Sequence, residues 1–154
     1  QFDFGLSPYL GGDGPAVSVK EHYDPGWIAT GVVGASVLDA ALMLRGILGD
    51  LLPESLRAAM MWPWMRPSPD PAEGRPWRAP AYGLGLMTDT DESQGPIYGH
   101  SGGGPGCSVA VYHFPRHPLA PTVAVVTDGE DAGTVEKIAV AAAANLASAP
   151  HARW

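Results

Sequence analysis

Apolar positions recur at helical spacing from Ser36 onward: Leu38, Ala41, Leu42, Leu44, Ile47 and Leu48 mark one stripe. Ser36 followed by Asp39 resembles a capping box with Asp in place of Glu, and Gly49 is a fitting stop. Pro53 suits the first turn of a second, short helix over Glu54–Met61, where its missing N–H costs nothing. Prolines at 63, 67, 69, 71, 76 and 80 then predict an extended loop over 62–80. Trp62, Trp64 and Trp77 sit in it, either as anchors on the body of the protein or as a cleft wall.

Beyond the loop the period changes to two. Strands are predicted over Tyr82–Thr88 and Ile97–Gly102, although Gly83 and Gly85 weaken the first. Cys107–Phe114 alternates cleanly, and Val123–Thr127 reads as a buried strand. The short Pro115–Pro121 loop between those two suits an antiparallel hairpin. Thr134–Ala149 closes as an Ala-rich helix with Ile138, Ala142, Asn145 and Leu146 near one face. Within 1–35, only Val17–Val19 suggests a strand, and the rest reads as irregular. The layout is one α+β domain over 1–154, with 36–61 helical, 62–80 a loop, and 81–149 an antiparallel sheet covered by the terminal helix.

Composition narrows the function classes. The 154 residues carry a net charge of −7 and only two lysines, Lys20 and Lys137, which excludes a phosphate-backbone binder. No apolar run is long enough to span a membrane. One cysteine, Cys107, excludes an intrachain disulfide, so cytoplasm and export both stay open. The start at Gln1 is neither an initiator Met nor a signal peptide, and the true start is expected upstream.

The segment Gly99–Gly106, GHSGGGPG, contains G-x-S-x-G, the pattern of a nucleophile elbow, with Asp128 and His151 following in the Ser…Asp…His order. An elbow needs a helix directly after the serine. Three glycines and Pro105 follow Ser101, and they cost a helix about 1 and 3 kcal/mol per residue relative to alanine. An α/β-hydrolase with Ser101 as nucleophile is therefore the weakest of three readings. His113 and His117 have H-x-x-x-H spacing, but they flank a hairpin turn without converging ligands, so no metal is expected.

Taken in order, GWIATGVVGASVLDAALMLRGIL, LLPESLRAAM, YGLGL and GHSGGGPGCSVAVYHFP resemble the C-terminal portion of the serine β-lactamase-like superfamily, from about Gly26 to Leu146. That superfamily includes class C β-lactamases, D-Ala-D-Ala carboxypeptidases and family VIII esterases. The resemblance implies acyl-enzyme hydrolysis of an ester, amide or peptide, and no cofactor. His100-Ser101-Gly102 would be its His-x-Gly strand. His100 would then supply a donor that supports substrate polarity and tunes proton transfer. Gly102 would let substrate approach the backbone. The Gly103 N–H would serve as an oxyanion-hole donor. Ser101 would line the site through its backbone, which pairs with substrate as an added strand does.

Two elements of that family's chemistry are missing. No serine stands three residues before Lys20 or Lys137, so there is no Ser-x-x-Lys. The sole asparagine, Asn145, follows Ala143 at the required spacing, so there is no Tyr-x-Asn or Ser-x-Asn. The expectation is a C-terminal portion that is inactive alone and associates with a missing N-terminal part of the same protein, or with itself. A non-catalytic binding module derived from that fold is the alternative.

Overall fold

Ser36 caps the first long helix as its sequence dictates. Its hydroxyl accepts from the Asp39 N–H at 3.1 Å, and the Asp39 carboxylate accepts from the Ser36 N–H at 3.1 Å. In the computed structural model, described over residues 6–7, 14–15, 17–22, 24, 35–66, 73–93, 95–104, 107–129 and 131–148, this helix is α2, Val37–Leu48. Gly49 ends it, with its N–H bonded to the Arg45 carbonyl at 2.8 Å. Pro53 then starts α3, Glu54–Met61. Before these lie the short pieces β1 (Leu6–Ser7), β2 (Val17–Ser18) and α1 (Val19–His22), with β1 and β2 paired antiparallel.

The rest is a five-stranded antiparallel meander in chain order: β3 (Pro80–Tyr82), β4 (Met87–Asp89), β5 (Ile97–Gly104), β6 (Cys107–His113) and β7 (Thr122–Thr127). Helix α4, Ala132–Ser148, follows. The α+β class read from the sequence is the observed one.

Alternation along β6 assigns the two faces. Ser108, Ala110 and Tyr112 are buried, and Ala110 and Tyr112 join Ile97, Phe114 and Trp77 in a core closed by Val135, Ala139 and Ala143 of α4. Val109, Val111 and His113 point the other way. Helix α2 packs on β6 and β7 there, with Arg45 near enough to His113 to disfavour its charge. Burial is the larger cause of the lowered His113 pKa, and Arg45 adds to it.

Two expectations change. The predicted strand Tyr82–Thr88 is two strands joined by a tight turn, closed by the Gly83 N–H on the Leu86 carbonyl at 2.7 Å. Gly85 holds φ +76° in that turn, a conformation that glycine adopts without strain. Gly83 has a different reason to be glycine: a Cβ there would run into the backbone carbonyl of Met60 at the end of α3. Helix α4 also shows a different face from the expected one. Val135, Glu136, Ala139 and Ala143 are buried, whereas Ile138 and Leu146 are about two-fifths exposed, at 43% and 42%. Small side chains let α4 sit close to the sheet, so the inward stripe is not the bulkiest one.

Trp77 anchors the loop: it is buried, with its ring 4.5 Å from that of Tyr112. Trp62 and Trp64 are exposed. Gly83→Ala is expected to lower the unfolding free energy by about 3 kcal/mol through overpacking against backbone. Gly104→Ala, where a Cβ meets nothing within 4 Å, is expected to change it by less than about 0.5 kcal/mol. Urea unfolding of both variants checks the contrast.

Candidate functional site

The predicted site residues all lie on β5, and the pleat sends them in opposite directions. Ser101 stands opposite Ala110 and faces α4; His100 stands opposite Val111 and faces away from it. Ser101 is buried. Its hydroxyl donates to Glu136 Oε1 at 2.5 Å and lies 3.2 Å from the Arg75 guanidinium, which donates to it.

Glu136 is the centre of this cluster and is fully buried. Arg75 pairs with both of its carboxylate oxygens, and the Tyr112 hydroxyl donates to Oε1 at 3.1 Å. A buried carboxylate is tolerable only when paired and hydrogen-bonded, and this one has three partners. Its carboxylate raises the Arg75 pKa, which keeps the cation in place. The Tyr112 phenol is pushed well above its ordinary value, mainly by burial. Ser101 is thus a core residue, held by a carboxylate and an arginine, with no histidine beside it among the described residues. The elbow reading fails on this geometry, since the strand continues to Gly104 where a helix would have to begin. Of the proposed triad partners, Asp128 is an exposed residue just after β7, and His151 lies outside the described residues.

His100 is exposed, and its Nε2 lies 2.6 Å from the Tyr82 hydroxyl, with the rings edge-on at 5.8 Å. Strand β4 accompanies β5 only through Ile97, Tyr98 and Gly99. Strand β6 runs along its other side through Gly104. From His100 to Gly104 the β4-side edge of β5 therefore has no strand partner among the described residues. Gly103 is exposed on this stretch, and a Cβ on Gly102 would meet open space. The exposed edge offers backbone N–H and C=O groups to an extended ligand, flanked by an imidazole.

His113 and His117 do not converge. His113 Nδ1 bonds Thr122 Oγ1 at 2.9 Å, and His117 Nδ1 accepts from the Leu119 N–H at 3.1 Å. Among the described residues no cluster of three or more His, Cys, Asp or Glu side chains is placed to hold a metal ion. None of their helices is long and apolar enough to cross a membrane.

Sequence reasoning missed Arg75, Glu136, Tyr112 and Tyr82. One signal was available for Glu136: it stands with Ala139 and Ala143 at i, i+3, i+7 spacing, a lone acid on the inward stripe of an Ala-rich helix. Tyr82 opens YGLGL, but its meeting with His100 is a product of pairing between strands.

This antiparallel meander backed by a C-terminal helix resembles the β-lactamase and transpeptidase fold. The chain belongs to the beta-lactamase family, whose model matches residues 6–146. Among solved structures it is similar to a D-stereospecific amidohydrolase from Streptomyces sp., at 25% identity and a TM-score of 0.66 over 87% of this chain and 37% of that one. It is also similar in fold to a penicillin binding protein from Bacillus halodurans, at 16% identity and a TM-score of 0.60 over 90% of this chain and 39% of that one. The chain thus spans under two-fifths of the length of either. No curated protein matches it.

The family match corrects two expectations. The resemblance was confined to a C-terminal portion from about Gly26, with a missing N-terminal part as partner. The match takes in almost the whole chain from residue 6, so the restriction does not stand and the match gives that partner no support. The strands β1 and β2 are two residues each, too short to show a period, which is why the motifs alone began later.

Two outcomes follow from the Glu136 cluster. Glu136→Ala strands the half-buried Arg75 and should cost about 3 kcal/mol or more in urea unfolding. Tyr112 contributes stability that is fully present below the ordinary phenol pKa of about 10, and that is lost as pH rises above it, because the folded protein resists its ionisation. Unfolding midpoints measured from pH 8 to 11 should fall more steeply in the wild type than in Tyr112→Phe.

Proposed function

We propose that this chain forms the substrate-binding wall of a β-lactamase-type serine hydrolase, binding the acyl part of an ester, amide or peptide along the open edge of β5. The observation that carries the reading is the edge from His100 to Gly104, unpaired among the described residues, beside the Tyr82–His100 pair. Backbone groups at Ser101 and Gly103 pair with the extended substrate, while Gly102 leaves room for its approach. His100 supplies a polar side chain to substrate oxygens. The Gly103 N–H acts as an oxyanion donor, fixed in a strand before charge develops on the carbonyl oxygen. The Ser101 hydroxyl has no part in the chemistry, because it is committed to Glu136.

The similarity to a D-stereospecific amidohydrolase from Streptomyces sp. supports an amide next to a D-configured centre as the first substrate class to test. Without Ser-x-x-Lys or Tyr-x-Asn, these 154 residues bind such a substrate and do not turn it over. The nucleophile is assigned to none of them.

Titration of the isotope-labelled chain with an N-acetyl-D-alanine amide should shift the backbone amides of residues 100–104. His100→Ala should weaken that binding about tenfold, roughly 1.4 kcal/mol. Shifts confined to other strands, or covalent labelling of Ser101 by a fluorophosphonate, would sink the reading. A purely binding module is the second reading, favoured by the same missing motifs. A tetrahedral phosphonamidate should bind about tenfold more tightly than the matching amide if the edge serves acyl transfer, and equally if it only binds.

A further inference from the structure

This inference rests on the reading of β5 as a substrate wall. We infer that Tyr82 is the positioning residue of that wall: its phenol donates to Nε2 of His100 and so holds the neutral imidazole in its Nδ1–H form, leaving Nδ1–H as the free donor for a substrate oxygen.

The geometry carries the argument. The phenol oxygen and Nε2 are 2.6 Å apart, at the short end for a hydrogen bond. A neutral imidazole has one bare nitrogen and one N–H, and the partner of one nitrogen decides what the other carries. Among the described residues the Tyr82 hydroxyl has no acceptor other than this nitrogen, and Nδ1 has no protein partner. The phenol is the better donor and the bare imidazole nitrogen the better acceptor, so the shared hydrogen belongs to the tyrosine and the ring hydrogen to Nδ1. When the imidazole is protonated, Nε2–H donates to the phenol oxygen instead, and Nδ1–H is still present. The wall therefore offers the same donor in both charge states.

Tyr82 is itself held from several sides. Its N–H and C=O both pair with Met65, at 2.7 and 3.1 Å. Gly83, the next residue, lies against the Met60 carbonyl with no room for a side chain. The end of α3 and the β3–β4 turn thus set the phenol where β5 brings His100. Three residues of the YGLGL segment thereby have separate reasons: tyrosine for the imidazole, one glycine for close approach, the other for the turn. Tyr82 touches no reacting atom in this scheme and acts only through His100.

The test reads the tautomer directly. Long-range proton–nitrogen spectra of the ¹⁵N-labelled chain at alkaline pH distinguish Nδ1–H from Nε2–H at His100. The expected result is the Nδ1–H form in the wild type. In Tyr82→Phe the two nitrogen resonances should move toward each other as the forms mix, with circular dichroism unchanged. A wild-type His100 in the Nε2–H form, or a tautomer that Tyr82→Phe leaves unaltered, would overturn the assignment. If Tyr82→Phe does not fold, the wild-type spectrum alone still decides. The result is separable from the substrate-wall reading, since the tautomer is measured without ligand and the wall is tested by amide titration.

Discussion

The buried carboxylate of Glu136 is the constraint on which the other features depend. An unpaired charge in that position would cost several kcal/mol, so its partners must all be in place together. Those partners come from different parts of the chain: Arg75 from the loop, Ser101 from β5, Tyr112 from β6. Helix α4 brings the carboxylate to them. Its own start is well made, with Asp131 accepting from the Gly133 and Thr134 N–H groups at 2.9 and 3.2 Å. Gly133 lets that start approach the loop backbone, where a Cβ would lie 2.7 Å from the Gly74 carbonyl. Helix, loop and sheet are therefore joined at one buried polar point.

This point also lays out the site. With Ser101 drawn into the core, the pleat must turn His100 to the opposite face. The serine that looks reactive in sequence is thereby made structural, and the histidine before it becomes available. The late start of β4, at Met87 opposite Gly99, then matters, because among the described residues it leaves the following residues of β5 without a strand partner on one side. A longer β4 would close that edge with backbone hydrogen bonds. The tight Gly83–Leu86 turn prevents it and at the same time sets Tyr82 beside the imidazole.

Much of the fold was legible locally. The cap at Ser36, the stop at Gly49, Pro53 ahead of α3 and the alternation in β6 all express backbone preferences that act within a few residues. Legibility failed where the deciding neighbour was distant. Tyr82–Thr88 reads as one strand because Tyr82, Leu84 and Leu86 fall at alternate positions, yet the turn inside it is set by two glycines, one of them pressed on Met60. The inward face of α4 does not follow the bulkier Ile138 and Leu146, because close approach to the sheet selects Ala139 and Ala143. Of the candidate site, His100, Gly102 and Gly103 were visible as types in a motif. Tyr82 and the Glu136 cluster were not, since their partners are 18 and 61 residues away in the chain for Tyr82–His100 and Arg75–Glu136.

By itself the sequence determined the α+β class, the positions of most helices and strands, and the strand on which a site could lie. It also determined that Ser-x-x-Lys is not among these residues. The tertiary structure decided which side of β5 each residue serves, that Ser101 belongs to the core, and that Tyr82 meets His100. The physical reason is that periodicity and caps are local, whereas a buried charge and an open strand edge exist only once separate segments have packed or failed to pair.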